Sequence, residues 1–358
     1  MKPHHCPALL LLIVVLLILS CDYRQAGNNS TPSGPWDNQP PLVPYNPYPP
    51  VAAEGVDTAS VTLSWSCDDP DGDPLTYSLL LQNDLQNYLI DTIAGLTDTS
   101  YTIDSLHPDI FYNWKIDAED EHGALTSGNW WFFVTEDVVV NFPDIALEIA
   151  VREYLELPVG DIHASDLHYI YEFDVSHHGI QLLDGMQYMY QLHSLRLENN
   201  LISGLAPLSQ LSWLNGLYLD NNKVSELSPL SQLTDLEYLS SNNNQITDIS
   251  SLSNMTGLES LYLFNNYLTD ISPIAQLVFL HNLGLDSNYI SDVSPLSDLI
   301  LLHFVYLSSN QITDIESLAN NLGLNYLDVI YLYDNPLDSM SINVYIPTLE
   351  ARGVEVFY

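Results

Sequence analysis

Leu214-Asn215-Gly216-Leu217-Tyr218-Leu219-Asp220-Asn221-Asn222-Lys223-Val224 carries the frame L-x-x-L-x-L-x-x-N-x-[ILV]. Sliding the chain along itself by 22 residues brings Asn200, Asn222, Asn244, Asn266, Asn288 and Asn310 into strict register, and Asn335 follows after a shift of 25. A degenerate earlier unit runs from Ile170 to Gln191 with His178 at the asparagine position, so eight units are legible. Two leucines separated by one residue suit a short strand whose alternate side chains point to one side. Stacked units would then form a parallel sheet over a leucine core. The asparagine would turn the chain out of each strand, its amide satisfying backbone groups otherwise buried unpaired. An aspartate follows in most units (Asp248, Asp270, Asp292, Asp314), then Ser-Pro in several: Ser228-Pro229, Ser272-Pro273 and Ser294-Pro295. Serine as N-cap with proline at the first helical position predicts a short helical turn on the convex side.

This frame is the leucine-rich-repeat pattern, and residues 141 to 358 resemble the repeat domains of internalin-like bacterial surface proteins. Phe142-Pro143-Asp144-Ile145-Ala146-Leu147-Glu148-Ile149-Ala150-Val151-Arg152 is similar to the helix that opens such domains. Asn335-Pro336-Leu337-Asp338, Ser341-Ile342-Asn343 and the stretch from Tyr345 to Val356 are similar to the segment that closes them. Caps make physical sense, because a stacked sheet has two open edges. Two positions depart from the pattern. Ser241, polar at a leucine position, predicts a locally looser core, and three extra residues before Leu327 predict a wider loop.

Upstream, alternation of period two marks strands: Val61, Leu63 and Trp65; Leu75, Tyr77, Leu79 and Leu81; Tyr101 and Ile103; Tyr112, Trp114, Ile116 and Ala118. With turn clusters between them, these predict an antiparallel β-sandwich. Val61-Thr62-Leu63-Ser64-Trp65, Leu106-His107-Pro108, Tyr112-Asn113-Trp114-Lys115-Ile116-Asp117-Ala118 and Trp131-Phe132-Phe133 make the stretch similar to a fibronectin type III domain. That resemblance implies a tyrosine corner at Tyr112, its hydroxyl bonded to upstream backbone. Asp68, Asp69, Asp71 and Asp73 could offer oxygens to calcium within one loop. Their Asp-Pro and Asp-Gly pairs are also good turn formers, and the turn is the expected reading.

The N-terminus reads as an export signal: Lys2, then an apolar run from Ala8 to Leu19, too short to cross a bilayer core of ~30 Å. Ile18-Leu19-Ser20-Cys21 resembles the lipobox of bacterial lipoproteins, which implies cleavage before Cys21 and acylation of its thiol. Two or more acyl chains, at ~0.8 kcal/mol per buried methylene, suffice for stable anchoring. With Cys6 removed and Cys21 acylated, only Cys67 remains and no intramolecular disulfide is possible. The chain is therefore expected to be multidomain: signal peptide 1–20, Pro/Asn/Ser-rich tether 21–40, an all-β fibronectin type III-like sandwich 41–136, an N-terminal cap 137–169, an α/β leucine-rich-repeat solenoid 170–340 and a C-terminal cap 341–358.

Forty-six acidic against seven basic residues give a formal charge of -39, which excludes nucleic acid as a partner. G-x-S-x-G, H-E-x-x-H and phosphate-binding glycine loops are absent from the sequence, so neither an enzyme nor a cofactor is expected. The non-leucine strand positions fall on the concave face in columns: Asp174, Arg196, Tyr218, Ser240, Tyr262, Gly284, Tyr306 and Tyr331, and two residues further on Ser176, Glu198, Asp220, Asn242, Phe264, Asp286, Ser308 and Tyr333. Exposed aromatics with acidic neighbours make a recognition surface. Tyr218, Tyr262, Phe264, Phe304, Tyr306, Tyr331 and Tyr333 are the candidate contacts for a protein ligand. A glycan ligand, or a structural envelope role without a soluble ligand, stays open beside it. The chain is expected to be monomeric, exported and lipid-anchored to a bacterial membrane. His281 and His303, stacked in adjacent units near Glu237 and Glu259, could in principle chelate a transition metal, but a solvated edge is the expected reading.

Overall fold

The computed structural model describes residues 38–83 and 89–358. The expected signal peptide, Cys21 and the expected tether up to residue 37 lie outside the described residues. Among the described residues, nine strands precede the repeats: β1 (Tyr45–Tyr48), β2 (Ala53–Val56), β3 (Ser60–Ser66), β4 (Leu75–Asn83), β5 (Leu89–Leu96), β6 (Ser100–Asp104), β7 (Phe111–Asp120), β8 (Leu125–Ser127) and β9 (Trp131–Thr135). They form one sheet in the order β1-β3-β6 and a second in the order β2-β9-β7-β4-β5, with β8 on β7. Alternation buries Val61, Leu63 and Trp65 from the first sheet against Tyr77, Leu79, Leu81, Trp114, Ile116 and Phe133 from the second. The pairing departs from an all-antiparallel expectation in one place, where β2 runs parallel to β9. Tyr112 Oη accepts the backbone N–H of His107 at 3.0 Å, so a residue with its ring in the core finds a polar partner upstream. In the aspartate loop, Asp69 Oδ1 accepts the backbone N–H groups of Asp71 at 2.8 Å and Asp73 at 3.2 Å, which is how Asx residues close a turn.

The join to the repeats is a shared core. Tyr190, from the first repeat unit, is 5% exposed and belongs to the core of the β region. Its ring meets His107 at 4.5 Å and His168 at 5.5 Å. The helix Ile145–Leu155 opens the second core. Asp144 caps it through Oδ1, which accepts from Ala146 and Leu147, while Oδ2 accepts from Gln181 and Leu182. One carboxylate thus starts the helix and ties it to the first repeat.

The repeats form a parallel sheet of nine strands: β10 (Glu172–Asp174), β11 (Ser194–Arg196), β12 (Gly216–Tyr218), β13 (Tyr238–Ser240), β14 (Ser260–Tyr262), β15 (Asn282–Gly284), β16 (Phe304–Tyr306), β17 (Val329–Tyr331) and β18 (Glu355–Phe357). Register follows the 22-residue shift, as in Leu195↔Leu217 and Arg196↔Tyr218. The frame leucines are fully buried, apart from Leu327 at the insertion. Each asparagine joins two units. Asn222 Nδ2 donates to Leu219 O of its own unit and to Leu197 O of the preceding one, while its Oδ1 accepts from Ile202 N. The residue before each of these asparagines has positive φ, from Asn199 at 58° to Asp334 at 56°. That left-handed turn is one asparagine tolerates well, which accounts for the Asn-Asn pairs.

The structure corrects or refines three expectations. Serine does not cap the short helical turns: Ser272 is the first residue of the turn Ser272–Gln276. The cap comes two residues earlier, where Asp270 Oδ1 accepts Ser272 N at 2.8 Å, and Asp248, Asp292 and Asp314 act alike. The longer aspartate side chain reaches forward from the preceding turn, and the Ser272 hydroxyl donates back to it. Ser241, at the position expected to loosen the core, is fully buried and held by a hydrogen bond, its Oγ accepting from Asn244 Nδ2 at 3.0 Å. The asparagine ladder thereby satisfies a hydroxyl where other units place a leucine. Finally, the closing segment also contributes β18 to the sheet, pairing Phe357 with Tyr331. The insertion falls between buried Leu324 and β17, and leaves Tyr326 and Leu327 exposed.

Candidate functional site

Side chains alternating with the leucines stand on the open face of the nine-stranded sheet, the face expected to be concave. Parallel strands of this kind lie ~4.8 Å apart, and equivalent residues are aligned by register, so neighbouring aromatics are brought to ring-contact distance. They form one continuous ladder. Tyr218 meets Tyr238 with ring centroids 4.7 Å apart, and Tyr238 meets Tyr262 at 5.7 Å. Tyr262 meets Phe264 edge to face at 5.8 Å, and Phe264 meets Tyr306 in the same manner at 5.8 Å. Tyr306 stacks on Tyr331 at 4.9 Å and Tyr331 on Phe357 at 5.0 Å, with interplanar angles of 3° and 11°. Phe357 then meets Tyr333 at 6.3 Å. At the other end the Arg196 guanidinium lies 4.3 Å over the ring of Tyr218, a cation–π contact.

Gly284 is what allows the ladder to cross from one strand to the next but one. A Cβ there would come within 2.2 Å of Phe264 Cε1 and 2.7 Å of Tyr262 Cδ1. The Phe264 ring therefore lies across the glycine, bridging β14 to β16. This alters the expectation that Phe264 stands free in solvent, for it is half-buried against its own chain. Phe304 is 41% exposed and Tyr333 is 47% exposed. Burial pushes the Tyr238 hydroxyl up to about 12, and also raises Tyr262 and Tyr306. These phenols remain protonated donors at neutral pH. Burial likewise raises Asp286, which accepts Ser308 N at 2.6 Å.

Of the candidate contacts, Tyr218, Tyr262, Phe264, Tyr306, Tyr331 and Tyr333 fall in this ladder. Phe304 stands in the strand column that holds Tyr238, without a ring contact to the ladder. Sequence reasoning missed Tyr238, Arg196 and Phe357 as members. Tyr238 was discoverable, because it shares the frame position of Phe304. Phe357 was not, because it reaches the sheet 26 residues after Tyr331, outside the repeat. His281 and His303 do stack, at 5.8 Å, but His303 Nδ1 is bound to the buried Asp328 at 2.6 Å. Among the described residues, these histidines do not converge with Glu237 and Glu259 as a metal site, whereas the carboxylates of Asp69, Asp71 and Asp73 lie within 4.8 Å of one another.

Comparison with known proteins bears on the repeat half. The family of leucine-rich repeats in two copies matches residues 234–276 and 256–298. Internalin C2 from Listeria monocytogenes is 29% identical, with 60% of this chain and 94% of that one covered and a TM-score of 0.54. An internalin, inlF, from the same organism is 24% identical over 61% of this chain and 91% of its own, with a TM-score of 0.35. The functional domain of InlJ from Listeria monocytogenes is 24% identical over 58% of this chain and 53% of its own, with a TM-score of 0.45. Comparison with curated proteins finds no match. Among the described residues, no helix is long and apolar enough to cross a membrane.

Proposed function

We propose that this chain, whose repeat half is an internalin-like leucine-rich-repeat domain, is a non-catalytic recognition or adhesion protein of a bacterial surface or envelope, and that it holds a protein partner on the open face of its sheet. The observation that carries the reading is the aromatic ladder from Tyr218 to Phe357, a contiguous half-exposed stripe rather than scattered rings. Large amphipathic rings held rigid by their neighbours lose little entropy on binding and anchor protein interfaces. Residues 41–136 serve as a fibronectin type III-like spacer, 137–169 open the repeat domain and 341–358 close it. Cys21, outside the described residues, carries the lipid that tethers the whole to a membrane.

Capture by the wild-type chain and by Tyr262→Ala/Phe264→Ala/Tyr306→Ala, each followed by mass spectrometry, tests the face. The triple variant should lose a protein that wild type captures, and retention of every one refutes the reading. A glycan array run beside it decides the rival, in which sugars stack on the same rings. Intact-mass analysis of a membrane extract should show a lipid adduct on a chain beginning at Cys21; an unmodified chain in the medium refutes the anchor.

A further inference from the structure

One position of the 22-residue frame changes chemistry half-way along the solenoid. Two residues before the buried leucine that opens each unit it reads Ser212, Thr234 and Thr256, then Val278, Ile300 and Leu322. The last three are 45%, 58% and 83% exposed, so core packing does not call for apolar side chains there. Successive units stack, and the three therefore form a ridge along the edge of the sheet, joined by the exposed ring of Phe279. The last step of the ridge is tightly built: Asn321 Nδ2 donates to Leu296 O at 2.8 Å and Leu299 O at 3.0 Å, and a Cβ on Gly323 would come 2.0 Å from Ile300 O. The insertion prolongs the apolar stretch. Asp328 N–H donates to Asn325 O at 3.1 Å, and Asn325 N–H donates to Asp328 Oδ2 at 2.7 Å, which closes a turn that presents Tyr326 and Leu327 to solvent. Buried Asp328 thus holds two large apolar side chains outward, with Leu327 at φ 80°, a costly conformation for leucine.

We infer that this ridge joins two copies of the chain about a two-fold axis, in place of the monomer expected from sequence and independently of any partner on the open face. A contiguous apolar surface on an otherwise acidic chain marks an interface. Two considerations select a second copy as its occupant. The first is charge. Copies that each carry a formal charge of -39 repel, and can meet only where carboxylates are missing. Residues 277–280, 299–302 and 320–327 hold no charged residue, which is the composition of an interface core. The second is area. With a fully exposed large apolar residue offering roughly 200 Å², Val278, Phe279, Ile300, Leu322, Tyr326 and Leu327 together present roughly 750 Å². One partner of a stable interface contributes ~800 Å². In a two-fold pair the same patch meets itself, so one uncharged ridge serves both sides.

The test begins in intact cells with the full chain carrying Ile300→p-benzoylphenylalanine, irradiated and resolved by mass. A product of twice the chain mass should form, its cross-linked peptides coming from the ridge of a second copy. Thr234→p-benzoylphenylalanine, at the same frame position in a polar unit, should give none. A link to a different protein alone, no link at all, or equal dimer from both positions overturns the inference. Sedimentation equilibrium of the full chain in density-matched detergent should then show a dimer. Val278→Thr/Ile300→Thr/Leu322→Thr, which restores the residue type of the earlier units at exposed positions, should weaken it at least tenfold. Tyr326→Ser/Leu327→Ser, on the insertion and outside the frame, should weaken it too and guards against a folding defect in the first variant. A wild-type chain that sediments as a monomer, or a dimer untouched by both variants, refutes the ridge. Tyr262→Ala/Phe264→Ala/Tyr306→Ala should leave the dimer intact. Loss of the dimer in that variant would move self-association to the open face and sink the ridge, whereas full partner capture by it with the dimer intact would sink only the open-face reading.

Discussion

Replacing Gly284 by alanine should break the aromatic ladder at its crossing point. The added Cβ would sit 2.2 Å from Phe264 Cε1 and 2.5 Å from Cζ. Carbon atoms in ordinary contact are ~3.5 Å apart, so the ring must withdraw by roughly 1.3 Å. The Phe264 backbone cannot follow, because its N–H donates to Asn242 Oδ1 at 2.7 Å and its carbonyl accepts from Asn243 N at 2.8 Å. The side chain alone must swing outward, giving up edge-to-face contacts with Tyr262 and Tyr306. Such pairs are worth ~0.5–1.5 kcal/mol each, so Gly284→Ala should destabilise the chain by about 1–3 kcal/mol. Urea unfolding followed by far-ultraviolet circular dichroism reads that loss, and the near-ultraviolet spectrum reads the uncoupled rings. A double-mutant cycle sharpens it, since most of the penalty should vanish in a Phe264→Ala background, leaving only the closer approach to Tyr262. An unchanged near-ultraviolet spectrum with stability within ~0.5 kcal/mol of wild type would refute the bridge across Gly284.

Asn266→Ala should cost about 2 kcal/mol or more, because Ser241 O and Ile246 N lose a buried partner, while Leu263 O keeps the Asn288 amide, at ~1–3 kcal/mol per unsatisfied group. Asn265→Gly, one residue earlier at φ 51°, should be nearly neutral by the same unfolding assay; equal losses from the two would contradict the ladder's role. Acid should weaken the join between the β region and the repeats. Burial lowers both His107 and His168, the latter despite Asp137, so the folded chain favours neutral rings that the unfolded chain protonates more readily. Their contribution is present above the ordinary value of 6.5 and is lost as pH falls below it toward the lowered folded values. The urea midpoint should therefore drop between about pH 7.5 and about pH 5.5, and His107→Gln/His168→Gln should flatten that part of the profile.

How much of this was legible in sequence follows from where each constraint acts. The 22-residue spacing determined strand, core and turn, because a leucine two residues from another must share its side of a strand and a buried asparagine must satisfy the backbone beside it. The proposed contacts could be placed in columns of the open face from the repeat spacing alone, since register carries equivalent residues straight across the sheet. What register could not say is which rings touch. Phe264 reaches Tyr306 only because Gly284 has no side chain between them, and Phe357 joins Tyr331 only because the closing segment returns a strand to the sheet after a helix. Ser241 looked like a defect until the asparagine of its own turn supplied a donor. Nor does an i, i+2 pair such as Arg196 and Glu198 reveal that one carboxylate oxygen is satisfied and the other left bare. Local periodicity decides what each residue faces, whereas contacts between strands depend on volumes contributed by residues far apart in the chain, and those only the tertiary structure settles.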